Sequence, residues 1–326
     1  MTTTRKRLGL IGTAIAALIA PLTLAVLATP AEAAVDRRAH HLETYRLEKL
    51  IELEGGEGAS PSLTCRAGDF AVDGMWRVDN VDDPNPQLGM FGDERDVLTL
   101  ASYGDVDVRT WLFRFHNGAD GRAQLKIFVV CLEGRTVTQW GHSHNLLIGP
   151  RLNGLLPNVG VGSEDYSSPD LCGPDQILVA PGFSINDGTA RSYGHWTTPS
   201  FRGWRWAFVS HHATTDISLY ARCLNTKTST TLGHRHNILQ YMTHGSAGSF
   251  LNLPVSSRTE RQLTCDNHYW GAVGAWWISD YDHVWHLGSD PRPVTRAHFF
   301  WNDGGGGHGS YLTLRCLGKR TSHGFS

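Results

Sequence analysis

Apolar residues recur with a period of two in three places along the chain. Leu125, Ile127, Val129 and Cys131 fall on one face of an extended segment; so do Ile217, Leu219, Ala221 and Cys223, and again Leu312, Leu314 and Cys316. Arg222 and Arg315 fall on the opposite face. This alternation predicts half-buried strands. An aromatic strand precedes each: Trp111, Phe113 and Phe115; Trp204, Trp206 and Phe208; and His298, Phe300 or its neighbour Phe299, and Trp301. Turn residues such as His116-Asn117-Gly118 and Asn302-Asp303-Gly304-Gly305 separate the strands and signal hairpins. Only Glu43 to Glu52 (ETYRLEKLIE) reads as helical, and it is short.

The pattern repeats as text. LKIFVVCLEGRTVT, ISLYARCLNTKTST and YLTLRCLGKRTS surround Cys131, Cys223 and Cys316, which are 92 and 93 residues apart. Cys172 and Cys265 are likewise 93 apart. Ten residues after the first two of these Cys come Gly141-His142-Ser143-His144-Asn145 and Gly233-His234-Arg235-His236-Asn237. After Cys316 the chain ends at the matching point, and the missing piece stands near the other end as Arg38-Ala39-His40-His41-Leu42, where His40 aligns with His144 and His236 and Arg38 takes the place of the first His. The expected fold is all-β: three tandem β-sandwich or small-barrel repeats of about 93 residues, spanning 36–141, 142–233 and 234–326. The first Cys pair is 66 residues apart against 51 in the others, an excess placed in the Asp-rich stretch Asp79 to Asp96. The repeat implies one disulfide per unit: Cys65–Cys131, Cys172–Cys223 and Cys265–Cys316.

Residues 1–33 read as a secretory signal peptide. Arg5, Lys6 and Arg7 precede an apolar run from Leu8 to Leu27, interrupted by Pro21, and Ala31-Glu32-Ala33 supplies a small-x-small cleavage site. The expected location is therefore extracellular, which suits six Cys with no Cys-x-x-Cys pair. Without that segment the chain is weakly acidic, so it carries no electrostatic footprint for nucleic acid or an anionic membrane, and no later run is long enough to span a bilayer.

Chemistry concentrates in the His segments. Two His at i and i+2 on a strand point to one side, and neutral imidazoles so placed can share a metal ion. The Gly-His-x-His-Asn segments resemble the His-x-His repeats of phage tail-fibre tips, over five residues, twice. In those fibres three chains each supply a His pair to an iron ion. The resemblance implies that three repeats imitate three chains, bringing His142, His144, His234, His236 and His40 together around a divalent transition metal, with Arg38 replacing one ligand. The alternative is that these His and Asn residues satisfy backbone groups where repeats meet.

Eleven Trp are a second feature. Trp276 and Trp277 are adjacent and face opposite sides of a strand, so one is a candidate stacking platform for a sugar, beside Asp280, Tyr281, Asp282 and His283. The Asp-rich stretch (Asp79, Asp82, Asp83, Asp93, Asp96) lacks the spacing of an EF-hand loop. No Gly-x-Ser-x-Gly, His-Glu-x-x-His or phosphate-loop motif is present. Three similar units suit multivalent binding more than a single active site. The expected function is non-enzymatic recognition of a surface glycan or cell-envelope ligand. Self-association by strand addition and metal binding through the His segments are the alternatives.

Overall fold

The computed structural model describes residues 39–82, 94–168, 171–188, 190–198, 200–210, 213–244, 251–255, 257–304 and 308–324. Residues 1–38, with the expected signal peptide and Arg38, and also Asp83, Asp93 and His211-His212 lie outside them. The chain is nearly all-β. The first repeat contributes β1 (Thr44–Leu53), β2 (Gly58–Ala59), β3 (Ser62–Thr64), β4 (Phe70–Val81), β5 (Val97–Gly104), β6 (Thr110–Asn117) and β7 (Ala123–Leu132). The second contributes β8 (Leu152–Val159), β9 (Gly162–Ser168), β10 (Gln176–Ile185), β11 (Ala190–Thr197), β12 (Trp204–Ser210) and β13 (Thr215–Asn225). The third contributes β14 (Arg235–His244), β15 (Leu251–Asn252), β16 (Ser257–Thr264), β17 (Tyr269–Ile278), β18 (Val284–Pro291), β19 (Thr295–Asn302) and β20 (Gly309–Gly324).

Thr44–Leu53 is a strand, not the short helix that its spacing predicts. It pairs with β7 from Thr44↔Leu132 to Leu53↔Ala123. Ile51 and Leu53 are buried while Glu48 and Glu52 are exposed. A continuous ladder and burial on one face outweigh helix preferences worth only ~0.5 kcal/mol per residue.

Among the described residues three sheets form, and each is shared between two repeats. Their orders are β1-β7-β4-β18-β19-β16, β2-β6-β5-β10-β13-β8 and β14-β20-β17-β11-β12-β9. The joins are short: Arg77↔Gly288 between β4 and β18, Ser102↔Phe183 between β5 and β10, and Gly194↔Trp277 between β11 and β17. A glycine lets two backbones meet at each join. A Cβ on Gly288, which has φ +120°, would lie 2.0 Å from the Trp76 carbonyl oxygen, and one on Gly182 would lie 2.5 Å from that of Ser102.

The alternating strands bury the side chains that the period-two pattern assigns inward. Leu125, Ile127, Val129, Trp111, Phe113, Phe115, Trp204, Trp206 and Phe208 are all buried. The three disulfides form within repeats, Cys65–Cys131, Cys172–Cys223 and Cys265–Cys316, as the repeat implies. On the opposite face of β13 and β20, Arg222 and Arg315 are buried too. Arg222 donates to the carbonyls of Gly149, Asp105 and Val106, and Arg315 to Leu178 O at 2.6 Å, Thr197 Oγ1 at 3.0 Å and Phe201 O at 3.1 Å. The first repeat has Val130 at this position. Its cross-strand neighbour Arg46 instead reaches Pro291 O at 2.8 Å and Asp290 Oδ1 at 3.1 Å. Each guanidinium thus ties its repeat to another one, largely through backbone oxygens.

Candidate metal centre

The centre is built by hairpins that follow the second Cys of the first two repeats, and by the His40 segment beside the last strand. Trp140-Gly141 and Leu232-Gly233 form two-residue turns with φ of 56° and 83°, and of 50° and 79°. Bridges Gln139↔His142 and Thr231↔His234 close them. Positive φ at both turn residues gives the twist that a tight hairpin needs. The returning strand then carries two His, two residues apart and on one side.

A Thr five residues past each Cys fixes the second His. His144 N donates to Thr136 Oγ1 at 2.9 Å and His236 N to Thr228 Oγ1 at 3.0 Å. The third copy joins the two ends of the chain: His40 N donates to Thr321 Oγ1 at 3.0 Å. In return the N–H groups of Thr136, Thr228 and Thr321 each donate at 2.9 Å to the carbonyl of His144, His236 and His40. The N-terminal segment therefore occupies, within the same molecule, the place beside the last strand, and His41 bridges Arg320 there. Each segment also touches the next, through Val137 N to His41 O and Ser229 N to Asn145 O.

These contacts bring together all five predicted histidines. Ring centroids lie 4.5–5.2 Å apart for His144 with His40, His142, His234 and His236. The other four form a square: His40–His142 at 4.7 Å, His142–His234 at 5.3 Å, His234–His236 at 5.2 Å and His236–His40 at 4.9 Å. The rings thus mark a square pyramid with His144 at its apex. An octahedral ion about 2.1 Å from each Nε2 would set neighbouring centroids about 4.6 Å apart. The vertex opposite His144 carries none of the five; the aligned residue is Arg38, outside the described residues.

The outer ring nitrogens are tied down. His144 Nδ1 lies 3.1 Å from Ser229 O, His40 Nδ1 3.4 Å from Val137 O, and the Nδ1 atoms of His142 and His234 3.4 Å from Trp140 O and Leu232 O. A carbonyl can only accept, so these four rings carry their proton on Nδ1 and leave Nε2 with a lone pair. His236 Nδ1 meets Thr321 Oγ1 at 3.0 Å. The Nε2 atoms of all five are buried, and those of His142 and His144 have no hydrogen-bond partner. Burial holds His144 below the usual imidazole range, and the neighbouring His40, His234 and His142 add to that. Inward lone pairs with outward backbone-anchored N–H groups are the arrangement in which proteins present imidazole to metals. Two groups, His40-His144-His236 and His142-His144-His234, each place ligand atoms within 4.8 Å of one another.

The other candidate residues lie elsewhere. Trp276 is buried and stacks on His286 with centroids 3.9 Å apart; Trp277 is half-buried beside Trp196 at 6.0 Å. Tyr281 is half-buried against Tyr193 at 5.3 Å, and Asp282 and His283 are exposed. In the Asp-rich stretch, Asp79 pairs with Arg77 and Asp82 with Arg122. Sequence reasoning missed the pinning Thr136, Thr228 and Thr321, although a Thr stands five residues after every second Cys. It also missed Asp73 and Arg296, whose buried ion pair at 2.9 Å replaces a core tryptophan. Arg296 sits where Trp111 and Trp204 sit in the other repeats, paired with Pro291 as they are with Gly104 and Thr197.

No family model matches the chain, and no curated protein matches it.

Proposed function

We propose that this is a secreted metalloprotein in which one divalent transition-metal ion, held by His40, His142, His144, His234 and His236, fastens three β repeats into a closed ring. The pyramid of five imidazoles carries this reading, with spacing suited to a shared ion and Nδ1 protons directed outward. Closed zinc sites favour four ligands, so five nitrogens and a sixth position suit Fe²⁺, Co²⁺ or Ni²⁺. The ion is structural: it lies where the N-terminal segment meets the last strand, and it would compensate the buried imidazole lone pairs that converge there. Three disulfides and the absence of any described helix long and apolar enough to cross a membrane support the secreted part of the reading.

Elemental analysis and native mass spectrometry of the protein secreted into medium containing iron, cobalt and nickel test it. The wild type should retain one ion per chain, and His144→Ala/His236→Ala should retain none while keeping its disulfides and strand spectrum. A wild-type chain at its metal-free mass, with no uptake on refolding with any of the three metals, contradicts it.

A further inference from the structure

At the other end of the strands we propose a second metal site of a different kind: Asp280, His283 and His308 bind an exchangeable divalent transition-metal ion. The two ends are set by β17, which runs from Tyr269 opposite Gly318, near the five-His centre, to Ile278 opposite Ser310. Asp280 follows directly. Its Oδ1 accepts the backbone N–H of Asp282 at 2.9 Å and of His283 at 3.2 Å, which locks the carboxylate and presents Oδ2. His283 Nδ1 lies 3.0 Å from Oδ2, and His308 Nδ1 lies 2.8 Å from it. Two ligands about 2.1 Å from an ion and at right angles to each other are about 3 Å apart, so both imidazole–carboxylate separations already match edges of an octahedral face, and the candidate ligand atoms of the three residues all lie within 4.8 Å of one another.

Gly304 holds the rings in place. The two imidazoles stack with centroids 5.4 Å apart and planes 11° from parallel. A Cβ on Gly304 would lie 2.6 Å from His283 Cβ and 2.7 Å from His308 Nε2. The bare backbone fits against both, and His308 turns its Nε2 toward the loop, leaving Nδ1 for the site. Asp303 N donates to His283 O at 3.0 Å and closes the loop on that side. Asp282 and Asp303 add negative charge around His283.

Two imidazoles and one carboxylate leave about three positions of a six-coordinate ion to water. The His283 side chain is 51% exposed, so solvent reaches the ion directly. This site is open and labile, whereas the five-His centre is enclosed. The bound ion keeps replaceable waters and can polarise an oxygen donor from solution or from a surface ligand.

Cu²⁺ titration of the intact secreted protein tests this, followed by electron paramagnetic resonance and by equilibrium dialysis against chelator. The wild type should take up one Cu²⁺ with nitrogen hyperfine coupling that chelator removes. Asp280→Asn, His308→Ala and Gly304→Ala should each weaken that uptake by about tenfold or more, the first two with unchanged melting temperature before Cu²⁺ is added. His144→Ala/His236→Ala should leave the exchangeable ion in place, so loss of the buried ion and loss of this one are read separately. Absence of an exchangeable Cu²⁺, or undiminished affinity in Asp280→Asn and His308→Ala, overturns the proposal.

Discussion

At the scale of single residues, the molecule departs most from an apolar core at Asp73 and Arg296. Their ion pair is fully enclosed, with Gly274 N donating to the same carboxylate oxygen at 2.8 Å. Removing one partner strands the other charge. Asp73→Ala should therefore cost about 3–5 kcal/mol in urea denaturation. Arg296→Trp/Asp73→Val, which restores the residue of the other two repeats, should recover most of it. The same region holds neutral histidines. Burial, with a smaller contribution from the nearby Arg296 charge, pushes His195 down to about 3. Burial likewise pushes His286 and His298 well below the usual imidazole range. The unfolded chain binds protons at these residues below about pH 6.5, and the folded chain does not. Their contribution is thus present above pH 6.5 and is lost as pH falls toward 3. Asp73, pushed up to about 6 by burial, acts oppositely, because the folded chain then keeps a proton that the unfolded chain has released. Three histidines outweigh one carboxyl, so the melting temperature should fall steadily from pH 6.5 to pH 4.5; a flat profile would count against their buried neutral state. None of this was legible in sequence, because Asp73 and Arg296 are 223 residues apart.

At the scale of elements, the strands were legible wherever one face alternated. Leu125, Ile127, Val129 and Cys131 announce β7 because every second residue is apolar and all four are buried. β1 was not legible, since Leu47, Leu50 and Ile51 also fit a helical spacing and only pairing with β7 decides between the two. The burial of Arg222 and Arg315 was hidden for a similar reason: period two says which face a residue occupies, not whether another part of the chain covers that face. The His hairpins carry a local conflict with consequences for stability. Leu232 is 71% exposed and has φ 50°. It packs little and adopts a conformation that Asn tolerates better. Leu232→Asn should stabilise the protein by about 1 kcal/mol in chemical denaturation. An unchanged midpoint would mean that the leucine at the turn tip contributes an offsetting contact.

At the scale of the whole molecule, the sequence repeat predicted three like units, and the structure distributes their strands over three shared sheets. Sharing was not legible, because a join such as Arg77↔Gly288 needs only a glycine and a close approach of two distant strands. Convergence of the histidines was legible, since five of them follow from the repeat and from the alignment of His40 with His144 and His236. The ring is fastened by the pair of chain ends, through His40 and Thr321, and by the proposed ion. A ligand at about 100 times its Kd adds about 2.7 kcal/mol to stability. Slow dialysis against a strong chelator should therefore lower the melting temperature, and added Fe²⁺, Co²⁺ or Ni²⁺ should restore it in the wild type but not in His144→Ala/His236→Ala.

The most direct measurement is anomalous diffraction at the metal edge from crystals of the secreted protein. The account predicts one strong peak about 2.1 Å from the Nε2 atoms of His40, His142, His144, His234 and His236. A centre without anomalous density, with the imidazoles turned to bond one another or water, would contradict it.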